Sequence, residues 1–203
     1  MGYVGVKPSA VPLTSADITD GIITSAKIAD GTIVNADINA SAAIVSTKLS
    51  GTGKVLQVIS ASELSTFSTS STSYVDVTNM SISITPSSAS NKVLIMFFAQ
   101  GTTSGSDTGH IRLNKDGTAL FIGTTSSSRQ SATVGITDGS GLSTIANLSF
   151  SYLDSPNTTS STTYKITMRA NTGTAYIGRS QVDGDAAGYP RTPTSLIIME
   201  IAG

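Results

Sequence analysis

Between residues 13 and 49 one large aliphatic side chain returns at almost every fifth position. Leu13, Ile18, Ile23, Ile28, Ile33 and Ile38 hold that step without a break, and after a one-residue insertion Ile44 and Leu49 resume it. Five matches neither the 3.6-residue period of an α-helix nor the two-residue alternation of a strand. A heptad coiled coil needs apolar positions averaging 3.5 apart, so it is excluded too. Written in tens, the segment reads TSADITDGII, TSAKIADGTI, VNADINASAA, and Asp20-Gly21 and Asp30-Gly31 fall at the same phase as turn signals. A single short coil of this kind cannot cover its own isoleucine row. Burying each isoleucine is worth roughly 1.5–3 kcal/mol. The pattern over 13–54 therefore predicts three copies gathered around a shared axis, an extended, intertwined, homotrimeric stalk with those eight residues on the axis.

From Val55 the texture changes to short alternating runs. Candidate strands are 55–60, 73–78, 80–85, 92–99, 109–114, 117–123, 131–137, 144–153, 162–169, 173–180 and 194–201. Asn114-Lys115-Asp116-Gly117 predicts a hairpin turn, and Asn171-Thr172-Gly173 a second. About ten strands with no helical pattern predict an all-β fold, an antiparallel, jelly-roll-like β-sandwich over 55–203. Two runs, KVLIMFFA and SLIIMEI, are apolar on both faces, which predicts strands buried a second time at subunit contacts.

Composition sharpens this picture. Ser and Thr number 33 and 29 of 203 residues, charged residues are 12%, and the formal net charge is −1. Many small hydroxyls beside ample aliphatics suit strands with polar outer faces. A charge so near zero offers no field for nucleic acid or an anionic membrane. The absence of cysteine excludes disulfides and thiolate metal sites. No apolar run approaches the ~20 residues that cross a bilayer. The start MGYVGVKP has no signal-peptide core and carries Val6 where myristoylation needs Ser or Thr.

Candidate chemistry is sparse. GTGK at 51–54 lacks the spacing of a phosphate-binding loop. His110 is the only histidine, and no G-x-S-x-G motif accompanies it. The carboxylates are Glu63, Glu200 and eleven Asp, most of them in turn sequences. Asp183-Gly184-Asp185 with Asp154 is the best acidic group, and it reads first as a turn or as a partner for Arg169, Arg179 or Arg191. No spacing suits a transition metal. The expectation is a protein without catalytic residues, metal or cofactor.

The units ADITD, AKIAD and ADINA resemble the pentapeptide-repeat signature. The VGVKP start, the segment ITSAKIADGTIVNADINASAAIVSTKLSGTGKVLQV, and the later RLNKDGTALFIG, SYLDSPNTTSSTTYKITMRA and SLIIMEIAG resemble short fibre and head-decoration proteins of tailed bacteriophages, particularly those of cyanobacterial hosts. That resemblance spans essentially the whole chain. It implies a virion-surface homotrimer whose first dozen residues dock on another particle protein, most naturally the major capsid protein, with the β-sandwich facing outward. Segment 3–13 carries aliphatics and two prolines without helix or strand period, so Tyr3, Val4, Val6, Pro8, Val11 and Pro12 are candidate docking residues in an extended clamp. The alternative is a short tail fibre whose sandwich binds a host surface glycan. Loops 101–109, 124–130 and 181–193 would then carry the contacts, with Arg129, Arg179, Asp183 and Asp185 as polar partners and Tyr189 as a stacking platform. The lack of Trp and the 5% aromatic content favour decoration.

Overall fold

The computed structural model describes residues 14, 18–39, 41–42, 54–105, 107–137 and 143–203. The chain divides into two compact units, Met1–Ser50 and Gly51–Gly203.

Within the first unit the period of five has a backbone origin. The N–H groups of Ile22, Lys27, Thr32, Asp37 and Ala42 donate to the carbonyls of Thr19, Thr24, Ala29, Val34 and Asn39, at 2.8 to 3.1 Å. One tight turn thus closes every five residues, and Ile18, Ile23, Ile28, Ile33 and Ile38 each stand immediately before one. Alternate turns differ in kind. Those at 19–22 and 29–32 pass through Gly21 and Gly31, both at φ 78°, a left-handed geometry that glycine adopts without a Cβ penalty. Those between are 3-10 turns, Ser25–Lys27 and Asn35–Asp37. Asp37 Oδ2 accepts the Val34 N–H at 2.9 Å and Lys27 Nζ donates to the Ile22 carbonyl at 2.5 Å. The ten-residue sequence repeat is two unlike turns in succession.

Among its described residues the second unit is an antiparallel β-sandwich of thirteen strands: β1 (Val55–Glu63), β2 (Phe67–Thr69), β3 (Val75–Ile84), β4 (Lys92–Phe98), β5 (Gln100–Thr103), β6 (Thr108–Lys115), β7 (Thr118–Leu120), β8 (Val134–Thr137), β9 (Ala146–Asn147), β10 (Phe150–Asp154), β11 (Thr162–Ala170), β12 (Ala175–Ile177) and β13 (Thr194–Ile201). One sheet runs β1-β13-β4-β10, and a second runs β3-β11-β6-β7 with β8 also paired to β6. The pairs β6·β7, β4·β10, β3·β11 and β1·β13 are all antiparallel and nested one outside the other. Such nesting is a long hairpin rolled into two layers, which is the jelly roll. A third sheet, β2-β12-β5-β9, is built largely by continuations of the first sheet's strands.

The two main sheets close over one core. Val93, Ile95 and Phe97 of β4 and Leu196 and Ile198 of β13 face Ile111 and Leu113 of β6 and Tyr164, Ile166 and Met168 of β11, all with no measurable exposure. The expected hairpin at 114–117 is present. Lys115 pairs with Thr118 across Asp116 (φ 48°) and Gly117 (φ 83°), a two-residue turn whose twist suits its strands.

Three expectations are corrected. Residues 73–78 and 80–85 belong to the one strand β3, interrupted by a bulge. Asn79 sits at φ 58°, the register shifts opposite Lys165 and Thr167, and Val77 and Met80 consequently both reach the core. Asn171–Gly173 is no hairpin, because β11 and β12 lie in different sheets. The start of loop 101–109 is strand β5, where Thr102 and Thr103 are buried.

Candidate functional site

Ile18, Ile23, Ile28, Ile33 and Ile38 are exposed by 40% to 56% in the single chain. Ile22 and Val34 add to this uncovered apolar surface. A soluble segment seldom leaves so regular an aliphatic row wet, because each side chain forgoes burial. Leu13, Ile44 and Leu49 lie outside the described residues, as do Tyr3, Val4, Val6, Pro8, Val11 and Pro12.

A second apolar surface covers the outer face of β1-β13-β4-β10. The register sets Val58, Met199, Leu94 and Leu153 side by side in one row across four strands, with Ile197 and Met96 paired in the next. Val58 and Leu153 are 55% and 52% exposed. The alternation inside KVLIMFFA and SLIIMEI is therefore real, with one set of residues in the core and the other on this face.

The third feature is the loop leading into β13. Asp183 receives Nε and Nη2 of Arg191 on its two oxygens at 2.9 and 2.5 Å, and Nη1 of Arg179 stands 3.1 Å from Oδ2. The Arg191 hydrogen bonds, with the charges of Arg191 and Arg179, hold the Asp183 carboxyl below its ordinary value despite an opposing effect of burial. Arg179 also stacks over the Tyr176 ring at 4.3 Å. Asp183, Asp185, Tyr189 and Arg191 line an open concavity of about 760 Å³. Four of the five residues expected to contact a ligand thus share one loop. Arg129 does not: it closes a separate turn onto Ser126. Asp154 is also elsewhere, accepting from Lys115 Nζ at 2.8 Å and from the Tyr164 hydroxyl at 2.6 Å. The expected acidic group is therefore divided, Asp183 and Asp154 standing in separate ion pairs, and no three His, Asp or Glu gather for a metal among the described residues.

The remaining polar chemistry is internal. Glu200, 1% exposed, accepts from Gln57, Asn91 and both the N–H and hydroxyl of Ser87. Gly203 N–H donates to Asn91, so this network ties the chain's last residues to the turn before β4. His110 Nδ1 is buried without a hydrogen-bond partner among the described residues, so no serine–histidine–carboxylate relay forms there.

No family model matches the chain, and no curated relative matches it. Solved structures similar to it come from infectious bursal disease virus. The T=1 particle derived from that virus is 14% identical, with a TM-score of 0.37, over 72% of this chain and 36% of that one. A mutant VP2 protein in derived T=1 particles is 15% identical, with a TM-score of 0.38 and the same two coverages. The VP2 subviral particle is 14% identical, with a TM-score of 0.34, over 72% of this chain and 41% of that one. The chain thus spans well under half the length of these viral proteins. Likeness at this level carries no conclusion about assembly or role.

Proposed function

We propose that this chain is a non-enzymatic structural protein of a tailed-phage particle, a homotrimeric head-decoration or head-fibre protein anchored by its N-terminal segment. The observation that carries this reading is the isoleucine row, one residue per five-residue turn and half-exposed at each step. Covering the exposed half of each isoleucine is worth about 1 kcal/mol. Over five steps and three chains that is on the order of 10 kcal/mol, available only through other copies. Three copies suit the row because an axial position then meets its own equivalents at each level. The apolar outer face of β1-β13-β4-β10 supports the same reading, since it offers each copy a second surface to cover. The docking residues Tyr3, Val4, Val6, Pro8, Val11 and Pro12 belong to this proposal, with a capsid protein as the partner.

Removing residues 1–12 tests it. The truncated protein is expected to remain a soluble trimer and to lose binding to particles in a co-sedimentation assay. Retained decoration of virions would show that the anchor lies elsewhere. A second reading, a short tail fibre binding a host glycan, is favoured by the concavity that joins Tyr189, Asp185 and Arg191. Specific retention of a saccharide, lost in Tyr189→Ala, would move the assignment to that reading.

A further inference from the structure

The outer face of the sheet β3-β11-β6-β8 gathers two arginines, Arg112 and Arg169, that no carboxylate pairs among the described residues. Arg169 on β11 is the cross-strand partner of His110 on β6, and His110 is the partner of Gly135 on β8. Tyr74, just ahead of β3, falls beside Arg169, because Val75 pairs with Met168. Arg112 lies two residues along from His110 on the same face. Its guanidinium stands 4.0 Å from the centre of the Tyr74 ring, and its Nε donates to the Ser131 carbonyl at 2.9 Å.

Arg169 is only 8% exposed, with its Nε on the Ala170 carbonyl at 3.2 Å. Among the described residues no carboxylate oxygen comes within 4.0 Å of either Arg112 or Arg169. Lys165, further along β11, is matched by Asp76, whereas these two arginines are not. Asp107 is the carboxylate whose charge acts on His110; its Oδ1 takes both the N–H and the hydroxyl of Thr172, and its Oδ2 is buried with no partner among the described residues. His110 Nδ1 and Ser131 Oγ are buried with no partner among the described residues. Burial, then the charges of Arg169 and Arg112, hold His110 below its ordinary value, with Asp107 opposing. Gly135 ends the row in open space, because a Cβ added there would meet no atom within 4 Å.

A desolvated guanidinium without a counter-charge is costly. Arg169 is such a group, and with the partly exposed Arg112 and the partnerless Ser131 hydroxyl it makes a surface rich in hydrogen-bond donors. The matching group is a planar or tetrahedral oxyanion, which accepts from the guanidinium fork in pairs. We propose that this sheet face binds the oxyanion of a ligand, a carboxylate, sulfate or phosphate ester, between Arg112 and Arg169, entering beside His110 over Gly135. The site is separate from the loop around Asp183 and does not rest on the trimeric reading.

The single histidine makes the test direct. In the full-length protein, chloride is replaced by sulfate, glucuronate or a sugar phosphate at constant ionic strength while the His110 imidazole resonance is followed. At least one of the three is expected to shift it saturably and to raise its titration midpoint, because the anion offsets the two guanidinium charges. Arg112→Gln should weaken that binding about tenfold, the loss of one charge-assisted hydrogen bond. Gly135→Val should block it by filling the open space while every charge stays in place. A resonance that follows ionic strength alone, or a response that survives both Arg112→Gln and Gly135→Val, would overturn the proposal.

Discussion

Glu200 shows how a single buried side chain ties a strand down. It lies in β13, a central strand, and points away from solvent, where an unpartnered carboxylate would be neutral. Burial pushes its carboxyl up, but donors from Asn91, Gln57 and Ser87 outweigh that effect and hold it below the ordinary glutamate value. The sign of the pH dependence follows. With the folded value below the unfolded one of about 4.3, the ionised form stabilises the fold fully above that pH. The contribution is lost as pH falls through the lowered folded value. Glu200→Gln should cost about 2–3 kcal/mol at pH 7 by leaving partners of a charged group unmatched. In urea unfolding the gap between variant and parent should shrink on acidification. Equal midpoints at pH 7 would mean that the network contributes nothing.

Elements differed in how plainly the sequence announced them. The central strands β4 and β13 are long apolar runs, and their positions were legible to within a residue. So was the Asp116-Gly117 hairpin, because few dipeptides accept two positive φ angles. Strand β5 was not legible. Its QGTT sequence carries loop residues, and only the close approach of Gly101 to the Tyr176 carbonyl explains why glycine stands there. The bulge at Asn79 split one strand into two apparent ones by shifting the alternation one residue. The loop around Asp183 was legible as a cluster, since its members are near neighbours in sequence. The Arg112–Arg169 face was not, because cross-strand register brings it together and no local pattern records register. For the five-residue repeat, the sequence period matched the backbone turns one for one. Ile28→Asp would set a carboxylate at the middle of that row. Buried unpaired, it costs several kcal/mol per chain, so the variant should fail to associate in a sedimentation-velocity run while its β-sandwich still unfolds cooperatively. A variant that sediments like the parent would place Ile28 off any shared axis.

At the scale of the whole molecule, the second unit has what a lone domain needs: a closed core, nested strand pairs and satisfied buried carboxylates at Asp154 and Glu200. The first does not. Each described residue from Ile18 to Val34 is exposed, its aliphatic row included. On the proposed trimeric reading that asymmetry drives assembly, because the hydrophobic gain of covering the aliphatic row then lies between chains. Sedimentation equilibrium of the full-length protein at micromolar concentration measures this most directly. The trimeric account predicts a single species of about 62 kDa, three copies of the 20.7 kDa chain, that persists on dilution. A stable species of 20.7 kDa would contradict it.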